Sequence, residues 1–211
     1  LPATVMLIAL TMKIGTAPTH FWLPEVMQGT TLFTSMLIAT WQKIAPMILL
    51  FSMSNHIPSK ITVILGLLST LVGGWGGMNQ TQLRKVMAFS SIANTGWTLM
   101  AVTYELKTSM INFFFYIILT TPMFLAMART STKTLQDMTT LWTTSATTSM
   151  TLMLLLLSTA GLPPLTGFMP KLLILNELVT QNLTPAAILT TMTSLLTLVF
   201  YLRITYLTSL L

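Results

Sequence analysis

The chain has 211 residues, of which ten are Lys or Arg and four Asp or Glu, so charged residues make up 7% and the formal net charge is +6. Ordinary soluble domains carry roughly a quarter charged residues. With 53% hydrophobic residues and a mean hydropathy of +0.78, this chain cannot cover a water-facing surface. A soluble enzyme, a disordered tail and a disulfide-stapled secreted domain are excluded, and an integral membrane protein is predicted.

Nucleic acid is not the partner that the basic balance implies, because the cations are scattered singly or in pairs and form no stripe to track phosphates. Without Cys there is no disulfide, thiolate metal site or iron–sulfur ligation. The two histidines, His20 and His56, lie too far apart in sequence to suggest a metal site. The chain opens at Leu1 inside an apolar run, with neither a basic leader nor a cleavage site, and so reads as the interior of a longer chain.

Windows of about 19 residues, long enough to cross roughly 30 Å of hydrocarbon, predict seven helices. They fall near 2–23, 31–52, 60–78, 85–104, 109–128, 148–176 and 185–208. The connections are short and polar, apart from a longer stretch from Arg129 to Thr147 that is expected along the membrane surface. The apolar runs are continuous and lack the alternation of a barrel. With alternating crossings, the loops at 79–85 and 129–147 share one end, where Arg84, Lys85, Arg129 and Lys133 set the inner side. Lys60 and Lys107 fall at the opposite end.

The first crossing contains Lys13-Ile14-Gly15-Thr16-Ala17-Pro18-Thr19-His20-Phe21-Trp22-Leu23-Pro24-Glu25, and the sixth contains Gly161-Leu162-Pro163-Pro164-Leu165-Thr166-Gly167-Phe168-Met169-Pro170-Lys171. Each places Gly, Pro and one Lys inside an apolar segment. Proline deletes a backbone donor and frees a carbonyl, so both helices are predicted to break at membrane depth. Such a pair points to a transporter built from repeated halves. The predicted fold is an all-α polytopic transmembrane bundle with antiporter-like inverted repeats and two discontinuous helices. Residues 1–52 would close a first repeat and residues 53–211 form the second, within one membrane domain.

Lys43, in Thr40-Trp41-Gln42-Lys43-Ile44-Ala45-Pro46, sits midway along its helix, and Lys13 and Lys171 lie at comparable depth beside the breaks. A lysine at a helix centre costs about 2.5–3.5 kcal/mol to insert, so intramembrane lysines mark function by default. The bland alternative is a structural donor to freed carbonyls. The sharper reading is proton handling. Desolvation makes the neutral amine accessible, and two ammonium groups 10 Å apart at an effective dielectric near 20 repel by about 1.7 kcal/mol. Protonating one then drives a proton from the next. Three mid-membrane lysines, Lys13, Lys43 and Lys171, are the candidate relay.

Glu25 is either a proton port on the inner face or a loop charge near a helix start. His20 is either a relay near neutral pH or a packing residue. Trp22, Trp75, Trp97 and Tyr201 are expected to anchor at the interfaces. Arg203 is expected to snorkel, and Asp137 with Lys133 to be surface charges. The run Gly73-Gly74-Trp75-Gly76-Gly77 suggests close helix approach, not a phosphate loop.

Together, the Lys13–Glu25 segment, Thr40-Trp41-Gln42-Lys43, Asn79-Gln80-Thr81-Gln82-Leu83-Arg84-Lys85 and the Gly161–Lys171 segment resemble the chain 2 family of NADH-ubiquinone oxidoreductase. These are mitochondrially encoded, antiporter-like subunits of respiratory complex I. The resemblance covers essentially the whole chain. It implies a proton-pumping subunit in the mitochondrial inner membrane, driven by quinone chemistry elsewhere, with Lys13, Lys43 and Lys171 along a hydrated axis. It implies a glutamate partner for Lys13 on an earlier helix that this sequence does not contain. NADH, FMN, iron–sulfur clusters and ubiquinone belong to other subunits, and no cofactor is expected on this chain. The implied partners are other core and accessory subunits, neighbouring antiporter-like subunits among them, and membrane lipids. A cation/proton antiporter subunit of a related transporter is the alternative.

Overall fold

A computed structural model describes residues 2–209, apart from the side chain of residue 144. Among the described residues, eleven α-helices make up seven passes. The first pass is α1 (Pro2–Ile14) and α2 (Trp22–Gly29), and the second is α3 (Leu32–Ala39) and α4 (Trp41–Ser52). Then come α5 (Ser59–Met78), α6 (Leu83–Ala101) and α7 (Leu106–Arg129). A short surface helix, α8 (Leu141–Thr144), precedes the broken sixth pass, α9 (Ala146–Ala160) and α10 (Phe168–Thr180), and α11 (Thr184–Ser209) closes the bundle. Four stretches are long and apolar enough to cross a membrane unaided: Leu32–Ser52, Ser59–Met78, Leu106–Arg129 and Thr184–Ser209. Two of the remaining passes are the broken ones, and the third is α6 at the centre.

Both predicted interruptions are present. Leaving α1, Gly15 takes φ +80°, and the chain stays non-helical until Trp22, whose indole Nε1 donates back to Met12 O at 3.0 Å. α9 ends at Gly161 with φ +88°, the left-handed conformation that favours glycine. A third interruption, at Thr40 (φ −115°, ψ −68°), divides the second pass. Neither Gly nor Pro stands at that position, so no residue type there marks the break.

The loops expected to share one end do so, and they pair. Leu83 N–H donates to Lys133 O at 3.1 Å and Leu135 N–H to Thr81 O at 3.0 Å, around a single antiparallel bridge between Gln82 and Thr134. The Arg84 guanidinium donates to Thr30 O at the same end. Arg203 also ends there, donating to Met78 O at 3.0 Å and so capping the last turn of α5.

Lipid removes the hydrophobic drive between helices, so small residues must let backbones approach. Gly73 meets that need: a Cβ there would stand 2.7 Å from Ala93 N and 2.8 Å from Phe89 O on α6. Threonine and serine hydroxyls inside the helices donate to carbonyls three or four residues back, as Thr120 does to Tyr116 O at 2.7 Å. This explains how so many hydroxyls are tolerated in apolar segments. The apolar core is divided. One cluster, around Leu23, Met87, Phe124 and Leu156, fills the paired-loop end. Two others, around Leu10, Leu50 and Phe113 and around Trp97 and Ile174, fill the opposite end. Polar α6 residues Ser90, Ser91, Asn94 and Thr95 occupy the middle of the central helix.

Candidate proton-relay site

Lys43 and Lys171 are both enclosed, at 2% and 8% exposure. α4 carries Lys43 one turn past the Thr40 break, and the ammonium points at α6. There Nζ donates to Ser91 Oγ at 3.2 Å, with Ser91 O at 3.5 Å, and stands 5.7 Å from the centre of the Tyr116 ring. That ring distance is within the reach of a cation–π contact. Lys171, in the first turn of α10, reaches back to the end of α9. Its Nζ donates to Ala160 O at 2.9 Å and Thr159 O at 3.1 Å. Those carbonyls lack helix donors because the chain turns away at Gly161. A Cβ on Gly161 would lie 3.1 Å from Lys171 Nζ, so glycine serves both the turn and the approach.

None of the four carboxylates is buried, and among the described residues neither lysine has an ion pair. Each ammonium is therefore held by neutral oxygens, without the counter-charge that an ion pair would supply. Two small cavities flank Lys171. One, of about 20 Å³, is lined by Asn94, Asn112, Tyr116 and Thr159. The other, of about 10 Å³, is lined by Ser90, Asn94, Thr159 and Tyr201. The first has the volume of a single water site, and the second falls at the lower limit for one. Asn112 Nδ2 is buried with no hydrogen-bond partner among the described residues and belongs to the wall of the first cavity, while the Tyr201 hydroxyl, in the wall of the second, faces Ser90 and Thr159. Tyr116 spans the interval, with its ring at Lys43 and its side chain in the wall of the first cavity. Lys43, Tyr116, Asn112, Asn94, Lys171 and Tyr201 thus form a polar line across the bundle.

Lys13 does not join that line. It is exposed and makes no hydrogen bond or ion pair among the described residues. α1 packs against α4 through Leu7, Leu10, Thr11 and Ile14. That face leaves position 13 about a quarter-turn off the contact. Of the three candidate lysines, Lys43 and Lys171 are thus enclosed in this chain and Lys13 is exposed.

Glu25 and His20 come together at the paired-loop end. With Phe21, Pro24, Gln80, Lys85 and Phe89 they line an open cavity of about 170 Å³. Glu25 is exposed in the first turn of α2, where a carboxylate suits the helix dipole. His20 is buried against Phe21, with ring centres 4.2 Å apart.

Two expected interface anchors are misplaced. Trp97 is 2% exposed and packs on Ile174 and Leu178, and Tyr201 is 1% exposed beside the lysine cavity. Their nearness to predicted helix ends was misleading because α6 and α11 are enclosed by neighbours at those levels. Trp75 does face outward. Asp137 and Lys133 form no ion pair; instead Asp137 Oδ2 accepts from the Lys133 and Thr134 backbone N–H groups at 2.8 Å. Tyr116, Asn112, Asn94 and Ser91 were not singled out from sequence. They stand on two different helices, Ser91 and Asn94 on α6 and Asn112 and Tyr116 on α7, and only the fold brings them together.

An all-α bundle with two broken passes and two enclosed lysines, one of them at the freed carbonyl end of α9, defines an antiporter-like membrane protein. Residues 1–197 match the transmembrane family of NADH:quinone oxidoreductase and Mrp antiporter proteins, and the chain belongs to that family. It is 50% identical over 210 residues to NADH-ubiquinone oxidoreductase chain 2 of Aquarana catesbeiana, a match covering 100% of this chain and 61% of that relative. Respiratory complex I from Thermus thermophilus contains a chain similar in structure, with a TM-score of 0.88 and 26% identity over 96% of this chain and 48% of the other. A chain of the Mrp complex from a Dietzia species shares the fold at a TM-score of 0.87 and 20% identity, covering 96% of this chain and 40% of that one.

Proposed function

We propose that this chain is part of an antiporter-like subunit in the membrane arm of a proton-translocating NADH:ubiquinone oxidoreductase of the mitochondrial inner membrane. In that setting NADH, FMN, iron–sulfur clusters and ubiquinone are bound by other subunits, and this chain converts their chemistry into proton movement. Its partners are the other core and accessory subunits, including neighbouring antiporter-like subunits, and membrane lipids. Residues 1–52 close one repeat and the remainder forms the second. The observation that carries the reading is the enclosure of Lys43 and Lys171, without carboxylates, on one polar line.

The mechanism follows from electrostatics. Among the described residues an ammonium at Lys43 is held by Ser91 and the Tyr116 ring alone, so a nearby charge acts on it with no carboxylate to oppose it. A proton reaching Lys171 is received by the carbonyl end of α9, where the helix dipole favours a cation. Loading one site repels charge at the other, so protons move in sequence along the line. Glu25 and His20 give that line a port at the paired-loop end, and Lys13, exposed on α1, lies outside the enclosed segment of the relay. Moving each proton against 100 mV costs about 2.3 kcal/mol, which distant redox chemistry must supply.

Lys43→Met or Lys171→Met in the assembled oxidoreductase tests this directly. The expected result is a lower number of protons pumped per electron pair; full pumping with either lysine neutralised would sink the proposal. The fold shared with the Dietzia Mrp chain favours a second reading, cation/proton exchange. Reconstituted membranes would then exchange sodium for protons with no electron donor present.

A further inference from the structure

Tyr116 meets the surroundings of both buried lysines. Its ring is 5.7 Å from Lys43 Nζ, and the same side chain helps to line the cavity at Lys171. Its hydroxyl does a different task, donating to Ala39 O at 3.0 Å. In an unbroken helix that carbonyl would accept from Lys43 N–H. Here Lys43 N–H turns to Thr40 O at 3.2 Å instead. The phenol on α7 thus replaces the donor that the α3–α4 break removes, at a place where an unpaired carbonyl is costly. Ala39 is 1% exposed and Tyr116 5%, so water does not compete for the contact from outside the bundle.

We infer that Tyr116 is a positioning residue of the lysine relay: by holding the Ala39 carbonyl it keeps the α3–α4 break open and so fixes Lys43 against Ser91 and the tyrosine ring. This rests on the relay reading given above. Two arrangements satisfy Ala39 O, the observed one and a healed helix in which Lys43 N–H returns to it. Healing would rotate the start of α4 and carry Lys43 away from Ser91. The hydroxyl decides between them, and the ring sets where the ammonium rests.

Tyr116→Phe in the full-length chain of the assembled complex separates the two parts of the side chain, keeping the ring and removing the donor. Two measurements are made on it: amide exchange over residues 40–44, and protons pumped per electron pair at matched redox turnover. The expected result is a change in local exchange of about threefold or more, with pumping stoichiometry falling by roughly half or more while electron transfer persists. Unchanged exchange overturns the inference. Changed exchange with full pumping, in a complex where Lys43→Met pumps poorly, also overturns it, because the hydroxyl would then be structural only. Full pumping by both Tyr116→Phe and Lys43→Met defeats the relay reading itself, and this inference falls with it. Tyr116→Leu, lacking ring and hydroxyl, is expected to pump no better than Tyr116→Phe; better pumping counts against a role for the ring.

Discussion

Lys171 donates to Ala160 O at 2.9 Å across the seven residues, 161–167, that interrupt the sixth pass. A cation at the carbonyl end of α9 is favoured by the helix dipole, and the same contact satisfies oxygens that the break leaves without donors. The lysine is therefore both a candidate proton carrier and the cap of a helix.

That double role gives a signed prediction for stability. Lys171→Met leaves Thr159 O and Ala160 O buried without donors, a loss of about 1–3 kcal/mol for each unsatisfied group. The variant should melt earlier than the parent complex in a thermal unfolding assay. Lys171→Arg, which can still donate to both oxygens, should recover part of the difference.

Lys43 should behave in the opposite way. Its contacts with Ser91 are long, at 3.2 and 3.5 Å, and it has no carboxylate among the described residues. Keeping an unpaired charge out of water costs several kcal/mol, and an apolar side chain of similar shape removes that cost. Lys43→Met should therefore leave melting unchanged or raise it, even though pumping is expected to fall. A large destabilisation would mean that Lys43 anchors the bundle.

The sequence announced the two breaks because Gly15 and Gly161 are needed for positive φ and the prolines withdraw donors. Lys43 and Lys171 were legible because a charge amid apolar residues has few explanations. Lys13 looked the same in sequence but lies off the packed face of α1, and helix phase cannot be read without knowing which neighbour packs where. The break at Thr40 left no trace, since its cause is a tyrosine 76 residues further on. Tyr116, Asn112 and Tyr201 were hidden for a related reason. A polar ring or amide within an apolar helix fits an interface anchor as well as a buried line, and only tertiary contacts separate the two.

Gly167 and Gly29 make a matched pair of glycine substitutions. A Cβ on Gly167 would collide with Ser158 O, whereas one on Gly29 would meet nothing within 4 Å. Gly167→Ala should destabilise by about 1–3 kcal/mol through overpacking and should pull the start of α10 from the end of α9. Gly29→Ala, at the last residue of α2, should be neutral or stabilising by up to about 1 kcal/mol. Thermal unfolding of the two variants side by side checks the difference; equal melting would refute the close approach at Gly167.

Asp137 supplies the pH dependence, at the surface segment between α7 and α9. Its carboxylate accepts from the backbone N–H groups of Thr134 and Lys133, and these bonds hold its pKa below the usual carboxylate value. Both donors flank the bridge that ties residue 134 to Gln82. A carboxylate with a depressed folded pKa contributes its stability above the unfolded pKa, near 3.9, and loses it as pH falls through the folded value. Exchange at the Lys133 and Thr134 amides should therefore be protected at neutral pH. After correction for the intrinsic pH dependence of exchange, that protection should decline only below about pH 4. Asp137→Asn retains one acceptor oxygen but no charge, so its protection should be lower at neutral pH and flat on acidification. A parent protein with protection equally flat below pH 4 would show that the carboxylate does not hold this turn.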